Sequence, residues 1–255
     1  MENAKWRAYS HTCENTQKGP RMTAIIFDLD GTLIDSVPDI HKAASEMLTQ
    51  AGQAPLSVAK IRSFIGNGVP ALITKIMCEI DENPQDSARH SILEQCFMRH
   101  YTAAPAVLST PFDNVRAALE ALSADGFKLA VCTNKPEGIA RQILQDLNLA
   151  PYFAVVVGGD SLPVRKPDPA PLYAAIERVG TSAAIYVGDS EVDSETALNA
   201  DVPFILFSKG YRRGLVSEIQ HHATFSDFAE LPDLVRTICG HVSGNWIDST
   251  ALHRF

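Results

Sequence analysis

The chain has 255 residues, 45% of them hydrophobic and 20% charged, and this composition excludes disordered and fibrous proteins. Its 22 lysine and arginine residues stand against 30 aspartate and glutamate residues, and the net charge of −8 argues against broad binding to the DNA or RNA backbone. Every apolar run is shorter than the ~20 residues that a membrane-spanning helix needs, so no membrane partner is expected.

The two ends of the chain carry no periodic pattern. Residues 1–21 lack the apolar segment of a secretory signal and are interpreted as an N-terminal extension. Met22 then leads directly into an apolar run. Residues 241–255 are interpreted in the same way, as a C-terminal extension. One folded body is therefore expected between the two extensions.

Short buried strands alternate with helices in that body. Five apolar runs, each ending in a polar or glycine-containing cluster, are predicted as strands: Ala24–Phe27, Lys128–Cys132, Ala154–Val157, Ala183–Val187 and Phe204–Phe207. Helical patterns are predicted at Glu137–Leu147, Ala170–Val179, Glu191–Asn199 and Pro232–Cys239. This alternation predicts an α/β fold with a doubly wound parallel sheet, in which ligands bind beyond the carboxyl ends of the strands.

The interval 36–105 departs from this alternation, because it shows no convincing strand and many apolar residues at helical spacing. Ser36, followed by Asp39 three residues later, resembles an acidic capping box and predicts a helix start. We therefore predict an inserted helical domain at 36–105 and a core made of 22–35 and 106–240.

The first polar cluster follows the first strand and contains Asp28, Asp30 and Gly31. Because side chains alternate faces along a strand, Asp28 and Asp30 point to one side if the extended geometry continues. Two carboxylates in a small space need a metal ion or a shared proton. Such a pair suits displacement by one carboxylate with proton transfer by the other, while a solvated acidic turn is the alternative.

Three further polar clusters follow later strands. Thr133 and Asn134 lie before a helix, where a hydroxyl and free N–H groups bind an anion or simply cap the helix. Lys166, on a proline-rich loop, offers a compact positive charge for a phosphoryl group. Asp189 and Asp193 provide hard oxygen ligands that suit Mg²⁺, although helix starts are often acidic. Together the clusters indicate one site at one sheet edge.

In this order the clusters resemble the four motifs of the haloacid dehalogenase superfamily of phosphatases. The resemblance rests on Phe27-Asp28-Leu29-Asp30-Gly31-Thr32-Leu33, Thr133-Asn134, Lys166-Pro167 and Gly188-Asp189-Ser190 with Asp193, and it covers roughly residues 22–234. It implies a Rossmann-like core and a mobile helical cap inserted after the first motif.

The resemblance also implies a role for each acidic side chain. Asp28 would be the nucleophile that forms an aspartyl-phosphate, and Asp30 would act as general acid and base. Mg²⁺ would be bound by Asp28, by the backbone carbonyl of Asp30 and by Asp189. Asp193 would support the metal site.

Three other residues would hold the phosphoryl oxygens, namely Thr133, Asn134 through its backbone, and Lys166. The second aspartate of the first motif, Asp30, argues against dehalogenases, which lack it, and against phosphonate-cleaving relatives, which carry a small residue there. Sugar-phosphate mutases keep both aspartates and stay open as an alternative.

Within the superfamily, the chain looks closest to bacterial phosphoglycolate phosphatases, which hydrolyse 2-phosphoglycolate to glycolate and phosphate. Three segments carry this likeness: 36–39, 62–68 and 165–172. In the second of them, Gly66 and Asn67 would present backbone groups to the substrate or form an ordinary interhelical turn. Arg62 would meet the substrate carboxylate or form a surface salt bridge.

Other activities stay open as alternatives: a phosphatase for another small phosphoester or pyrophosphate, a sugar phosphomutase, and a non-catalytic protein that keeps the site. The expected partners are a small phosphorylated metabolite and Mg²⁺, with the chain a monomer or homodimer. Five cysteines, widely spaced and odd in number, indicate neither a disulfide framework nor a zinc site, and they favour a cytoplasmic location.

Overall fold

The computed structural model describes residues 23–242, so the predicted extension 1–21 and residues 243–255 of the predicted C-terminal extension lie outside the described residues. The described chain contains eight strands: β1 (Thr23–Phe27), β2 (Ile34–Asp35), β3 (Thr110–Pro111), β4 (Lys128–Cys132), β5 (Phe153–Val157), β6 (Ala183–Gly188), β7 (Phe204–Phe207) and β8 (Ala223–Phe225). Each of the five predicted strands is found, with its ends shifted by no more than one residue.

Six of these strands form one parallel sheet in the order β5-β4-β1-β6-β7-β8. The α/β prediction is confirmed. Because β1 lies between β4 and β6, the chain builds the sheet outward on one side and then returns to build the other. Ligand crevices form at such a reversal of strand order, beyond the carboxyl ends of the central strands. The carboxyl end of β1 is therefore the expected place for a site.

Nine helices occur in the described chain: α1 (Val37–Gln50), α2 (Val58–Phe64), α3 (Val69–Glu79), α4 (Ser87–Ala103), α5 (Val115–Ala124), α6 (Glu137–Asp146), α7 (Ala170–Val179), α8 (Glu191–Ala200) and α9 (Leu231–Val242). Short 3₁₀ turns lie at Ala150–Tyr152, Val216–Glu218 and Phe228–Glu230. The first four helices fall inside the segment 36–105. The last helix runs three residues beyond its predicted end. No helix in the described part of the chain is both long and apolar enough to cross a membrane.

Side chains of β1 alternate between two apolar layers. Ile25 and Phe27 belong to the layer that includes α5, α6 and α9, whereas Ala24 and Ile26 belong to the layer that includes α7 and α8. Burial on both faces explains why the strands read as continuous apolar runs. It also fixes the direction in which the first residues after β1 leave the sheet.

A small antiparallel pair, β2 with β3, was not predicted. Ile34 pairs with Pro111, and Asp35 pairs with Thr110. Each strand has two residues, too few to produce a recognisable alternation of apolar and polar side chains. The pairing brings the entry to the helical insertion and the exit from it side by side.

The predicted capping box at the start of α1 is wrong. Ser36 adopts a helical backbone conformation, and its side chain makes no capping hydrogen bond, because a capping residue normally needs an extended backbone. Asp39 instead accepts hydrogen bonds from the N–H of Leu108 at 2.9 Å and from the N–H and hydroxyl of Ser109 at 2.7 and 2.6 Å. The carboxylate thus ties α1 to the segment that follows α4.

Candidate active site

Asp28 directly follows β1, and its backbone still pairs as part of the sheet. Its N–H donates to the carbonyl of Val187 at 2.9 Å, which continues the pairing of β1 with β6. Lys166 Nζ lies 2.9 Å from Asp28 Oδ1, and both residues are buried. The sheet therefore fixes one carboxylate beside one ammonium group.

Lys166 is held on all sides. Its Nζ donates hydrogen bonds to Asp193 Oδ1 and to the Tyr186 hydroxyl, both at 2.7 Å, whereas its contact with Asp28 is an ion pair without hydrogen-bond geometry. The Asn134 side chain accepts from the Lys166 N–H and donates to its carbonyl, both at 3.0 Å. The Lys166 ammonium group is consequently positioned by the loop that follows β4 as well as by the loop to which Lys166 belongs.

Three buried carboxylates, those of Asp28, Asp189 and Asp193, offer oxygens within 4.8 Å of one another. Asp189 follows β6 and is oriented by two donors: Thr32 Oγ1 donates to Oδ1 at 2.7 Å, and the N–H of Tyr211 donates to Oδ2 at 2.5 Å. Hard carboxylate oxygens grouped in this way are the ligands that divalent cations such as Mg²⁺ and Ca²⁺ prefer.

Asp193 holds the other members of this group in place. Its Oδ2 accepts from the Ser190 hydroxyl at 2.6 Å and from the N–H groups of Asp189 and Ser190 at 3.2 and 3.1 Å. Its Oδ1 accepts from Lys166 and from the Tyr186 hydroxyl. Asp193 therefore completes the capping box of α8 and orients Lys166 at the same time.

Negative charge exceeds positive charge at the site. It contains the carboxylates of Asp28, Asp30, Asp189 and Asp193 and the ammonium groups of Lys135 and Lys166. Burial, together with the charges of Asp193 and Asp30, raises the pKa of Asp28 to about 6 in spite of the opposing charge of Lys166. Burial, together with Asp193 and Asp28, raises the pKa of Asp189 well above its usual value. A divalent cation would balance the excess charge, so the residues present fit one.

Asp30 lies beside a second buried lysine that was not predicted. Lys135 Nζ is 3.0 Å from Asp30 Oδ1 and also donates to the hydroxyl of Tyr101. Tyr101 belongs to α4, so the helical insertion contributes a side chain to the site. The second carboxylate of the first motif and the inserted helices are thereby linked through one ammonium group.

A small cavity of about 50 Å³ opens between the insertion and the sheet edge, and Asp28, Asp30 and Thr133 line it. The backbone N–H of Lys135 donates to the Thr133 hydroxyl oxygen at 3.3 Å. The side chain of Asn134 is engaged by Lys166, which leaves its backbone as the part that can face a ligand. The cavity therefore brings together residues that follow β1 and β4.

The three predicted specificity residues of the insertion lie in different surroundings. Gly66 lines the cavity, and its carbonyl accepts from Asn134 Nδ2 at 3.1 Å, whereas Asn67 is not among the lining residues. Arg62 donates to the carbonyl of Gly210 at 2.9 Å and lies 5.0 Å from the ring centroid of Tyr211. The structure thus places Arg62 against Tyr211 and not among the lining residues, with no salt bridge in the described part of the chain, and its contact with a substrate carboxylate stays a prediction.

Five side chains of the site were not predicted: Thr32, Tyr101, Lys135, Tyr186 and Tyr211. Thr32 and Lys135 adjoin predicted motif residues, so proximity along the chain was a usable signal. No such sequence signal marks Tyr211, which lies on a loop after β7. Its hydroxyl donates to Asp35 Oδ1 at 2.7 Å and accepts from the Ser36 N–H at 2.8 Å. Tyr211 therefore connects Asp189 to the start of the insertion.

Gly31 is predicted to be indispensable for packing at this site. Its φ is +86°, and a Cβ there would lie 2.6 Å from Asp189 Oδ2 and 2.7 Å from the Tyr211 ring. Gly126 has the same φ of +86° with open space around it, so Gly126→Ala isolates backbone strain, about 1–2 kcal/mol. Gly31→Ala should lose a further ~1–3 kcal/mol from overpacking, measured by urea unfolding. Equal losses in the two variants would contradict the close packing described here.

Comparison with known proteins gives a consistent result. Residues 25–207 match the family model described as haloacid dehalogenase-like hydrolase. A phosphoglycolate phosphatase from Cereibacter sphaeroides (strain ATCC 17029 / ATH 2.4.9) is 48% identical over 217 residues, which are 85% of this chain and 99% of that protein. A phosphoglycolate phosphatase from Rhodospirillum rubrum is 41% identical over 216 residues, 82% of this chain and 89% of the relative.

Solved structures share the fold. The crystal structure of a predicted phosphoglycolate phosphatase from Haemophilus somnus 129PT superposes with a TM-score of 0.78 at 29% identity, covering 84% of this chain and 98% of that one. The similarity in fold thus covers most of both chains.

Proposed function

The chain belongs to the haloacid dehalogenase-like hydrolase family, and on that premise we propose that it is a Mg²⁺-dependent phosphatase that converts 2-phosphoglycolate to glycolate and phosphate. The observation that carries the proposal is the buried group of Asp28, Lys166 and Asp189 at one sheet edge. The substrate is suggested by relatives that carry this activity in their names at up to 48% identity.

Asp28 is the proposed nucleophile. Its carboxylate oxygen attacks phosphorus, the bond from phosphorus to the glycolate oxygen breaks, and an aspartyl-phosphate forms. Water then attacks phosphorus, and the bond to Asp28 breaks to release phosphate. A rigid sheet edge suits this role, because in-line displacement depends on accurate positioning of the attacking oxygen.

Asp30 is the proposed proton carrier in both halves of the reaction. It protonates the departing glycolate oxygen in the first half and takes a proton from the attacking water in the second. Its position two residues after Asp28, on the cavity wall, supports this assignment. Lys135, 3.0 Å from Asp30 Oδ1, fixes the orientation of the carboxyl group.

Lys166, the Thr133 hydroxyl and the Asn134 backbone are proposed to hold the phosphoryl oxygens. A substrate dianion is repelled by Asp28, and a fixed ammonium group offsets that repulsion. Asn134 secures the Lys166 backbone and Asp193 secures its Nζ, so the charge needs no rearrangement when the substrate arrives.

Mg²⁺ would be held by Asp28, Asp189 and the backbone carbonyl of Asp30, with Asp193 as support. Bound there, the ion would supply positive charge to the phosphoryl oxygens during attack. The excess of carboxylates over ammonium groups at the site supports this choice. So does the hydrogen bonding of Asp189, whose two oxygens are each oriented by a single donor.

The helical insertion, predicted as residues 36–105, is proposed to act as a cap over the site. Tyr101, Gly66 and Leu72 from the insertion line the cavity, so closure of the cap would exclude bulk water from the phosphoryl group. The core would comprise 22–35 and 106–240. We place the chain in the cytoplasm, as a monomer or homodimer; the four cysteines in the described part of the chain form no disulfide with one another, which agrees with a reducing compartment.

A screen of small phosphoesters with and without Mg²⁺ tests the proposal. We expect phosphate release from 2-phosphoglycolate in Mg²⁺, a loss of at least ~100-fold in excess chelator, and recovery when Mg²⁺ is restored. Activity that survives the chelator would contradict Asp189 as a metal ligand. If phosphate were released only from another phosphoester or from pyrophosphate, the assignment of 2-phosphoglycolate as the substrate would be wrong.

Two other activities have distinct outcomes in the same assay. A sugar phosphomutase would give an isomerised sugar phosphate without free phosphate, and a non-catalytic protein would release none.

A further inference from the structure

A buried cation lies in the cavity beyond the groups that hold the phosphoryl oxygens. Among the residues that line the cavity, all within the described part of the chain, Lys135 is the one cation. It is 5% exposed, its Nζ lies 3.0 Å from Asp30 Oδ1, and the same atom lies 4.7 Å from the ring centroid of Tyr101. A cation held in this way lies at the cavity wall beside Asp30.

The two lysines of the site differ in how many donors are engaged. Lys166 Nζ donates two hydrogen bonds, to Asp193 and to Tyr186, and makes an ion-pair contact with Asp28. Within residues 23–242, Lys135 Nζ donates one hydrogen bond, to the Tyr101 hydroxyl, and makes one ion-pair contact, with Asp30. Since an ammonium group has three donors, one donor of Lys135 is available to a ligand.

We propose that Lys135, positioned by Tyr101, binds the carboxylate of the substrate's leaving group. This inference rests on the proposed function and adds to it the residue that selects a carboxylate-bearing substrate. The proton that Asp30 gives to the leaving oxygen requires that oxygen to lie within hydrogen-bond reach of Asp30. In 2-phosphoglycolate a single methylene separates the leaving oxygen from the carboxylate, so the carboxylate falls beside Asp30, where Lys135 lies.

The rest of the cavity wall makes a cation necessary for such a substrate. Apolar side chains of the insertion, including Ile40, Val69, Leu72 and Phe97, form much of the lining. A carboxylate buried against them without a partner would bind poorly, because desolvation of an unpaired charge is unfavourable. A neutral leaving group carries no charge for Lys135 to pair with, so the lysine would favour substrates that carry a carboxylate.

Tyr101 makes this selection depend on the insertion. Its hydroxyl accepts from Lys135, and its ring packs against Phe97 with centroids 5.4 Å apart. The Lys135 ammonium is therefore positioned from the core by Asp30 and from α4 by Tyr101. A substrate carboxylate would contact a cation that both parts of the protein orient.

The test compares 2-phosphoglycolate with ethyl phosphate, which has a methyl group in place of the carboxylate. The ratio of the two kcat/KM values is measured in one preparation, so it does not depend on the folded fraction. Lys135→Met should lower this ratio on the order of 100-fold, and Tyr101→Phe about 10-fold. Lys60→Met, which removes an exposed ion pair with Glu79, should leave the ratio unchanged.

The outcomes separate this inference from the proposed function. A wild-type preference for 2-phosphoglycolate that survives in Lys135→Met would overturn the carboxylate site and leave the phosphatase assignment standing. Equal losses of kcat/KM on both substrates would show that Lys135 acts only by orienting Asp30, and this result would also overturn the carboxylate site. If the wild-type enzyme favoured ethyl phosphate, both the proposed substrate and the carboxylate site at Lys135 would be wrong. If Lys135→Met does not fold, an unchanged ratio in Tyr101→Phe overturns the inference.

Discussion

Asp28→Asn is expected to abolish phosphate release, with a loss of at least ~10⁴-fold in kcat, and to leave the protein folded. An amide nitrogen and oxygen cannot form the acyl-phosphate, and neither Asp193 nor Asp189 is free to take over the role. Asp193 is fully engaged by its own hydrogen bonds, and Asp189 is fixed by Thr32 and Tyr211. The measurement is a single-turnover and steady-state assay on 2-phosphoglycolate.

The same substitution should stabilise the metal-free protein near neutral pH. In the folded state the pKa of Asp28 is raised from 3.8 to about 6, mainly by burial. The Asp28 carboxyl group ionises at a lower pH in the unfolded chain than in the folded protein. The free energy of unfolding therefore falls as the pH rises from about 4 to about 6. Asn cannot ionise, so Asp28→Asn should gain up to about 3 kcal/mol over wild type at pH 7 and less than about 1 kcal/mol at pH 4.

Unfolding by urea in excess chelator, at pH 4 and at pH 7, checks this expectation. Asp113→Asn provides the control, since Asp113 is exposed and lies outside the site. It should change neither activity nor the pH dependence of stability. A variant at position 28 that is less stable than wild type at pH 7 would show that Asp28 is not held in an unfavourable charged state.

Lys166→Met is expected to give a smaller loss of activity than Asp28→Asn and the opposite effect on stability. Removal of the ammonium leaves Asp28 and Asp193 buried without their cation, at positions 2.9 and 2.7 Å from the former Nζ. Breaking a buried pair in this way typically costs about 3–5 kcal/mol. The phosphoryl group also loses its fixed positive charge, worth about 10²–10³-fold in kcat.

Lys42→Met is the matched control for Lys166→Met, because Lys42 is exposed on α1. It should unfold at the same urea concentration as wild type and keep its activity. Wild-type stability in Lys166→Met would show that the two carboxylates are balanced by something other than Lys166. The contrast between positions 28 and 166 therefore reports on the charge balance of the site.

Much of the fold was predictable because burial leaves a direct trace in the sequence. β1, β4 and β7 are covered on both faces, and their apolar runs mark them almost to the residue. The grouping of Asp28, Lys166 and Asp189 could be predicted for a related reason. Parallel strands place their carboxyl ends at one edge, so residues far apart along the chain meet there.

Other features left no such trace. β8 has three residues and β2 has two, too short for any period to show. Asp39 was expected to act locally and instead binds Leu108 and Ser109, because a side chain chooses partners that only the tertiary fold brings near. Sequence spacing predicts contacts within one element better than contacts between elements.

The site residues that were missed show the same limit. Tyr101 and Tyr211 come from a helix of the insertion and from a loop after β7, and nothing in their local sequence marks them. Their roles follow from the contacts with Lys135 and Asp189. Arg62 shows the converse, since a cation in a suggestive segment packs against Tyr211 instead of facing the cavity.

The covalent role of Asp28 is tested most directly by trapping the intermediate. Asp30→Asn should slow both halves of the reaction, so the variant is mixed with 2-phosphoglycolate and Mg²⁺, quenched in acid and digested for mass spectrometry. The account predicts one phosphoryl group on the peptide that contains Asp28, and none when Asp28→Asn is added to the same chain. A phosphoryl group on another residue, or full turnover with Asn at position 28, would contradict it.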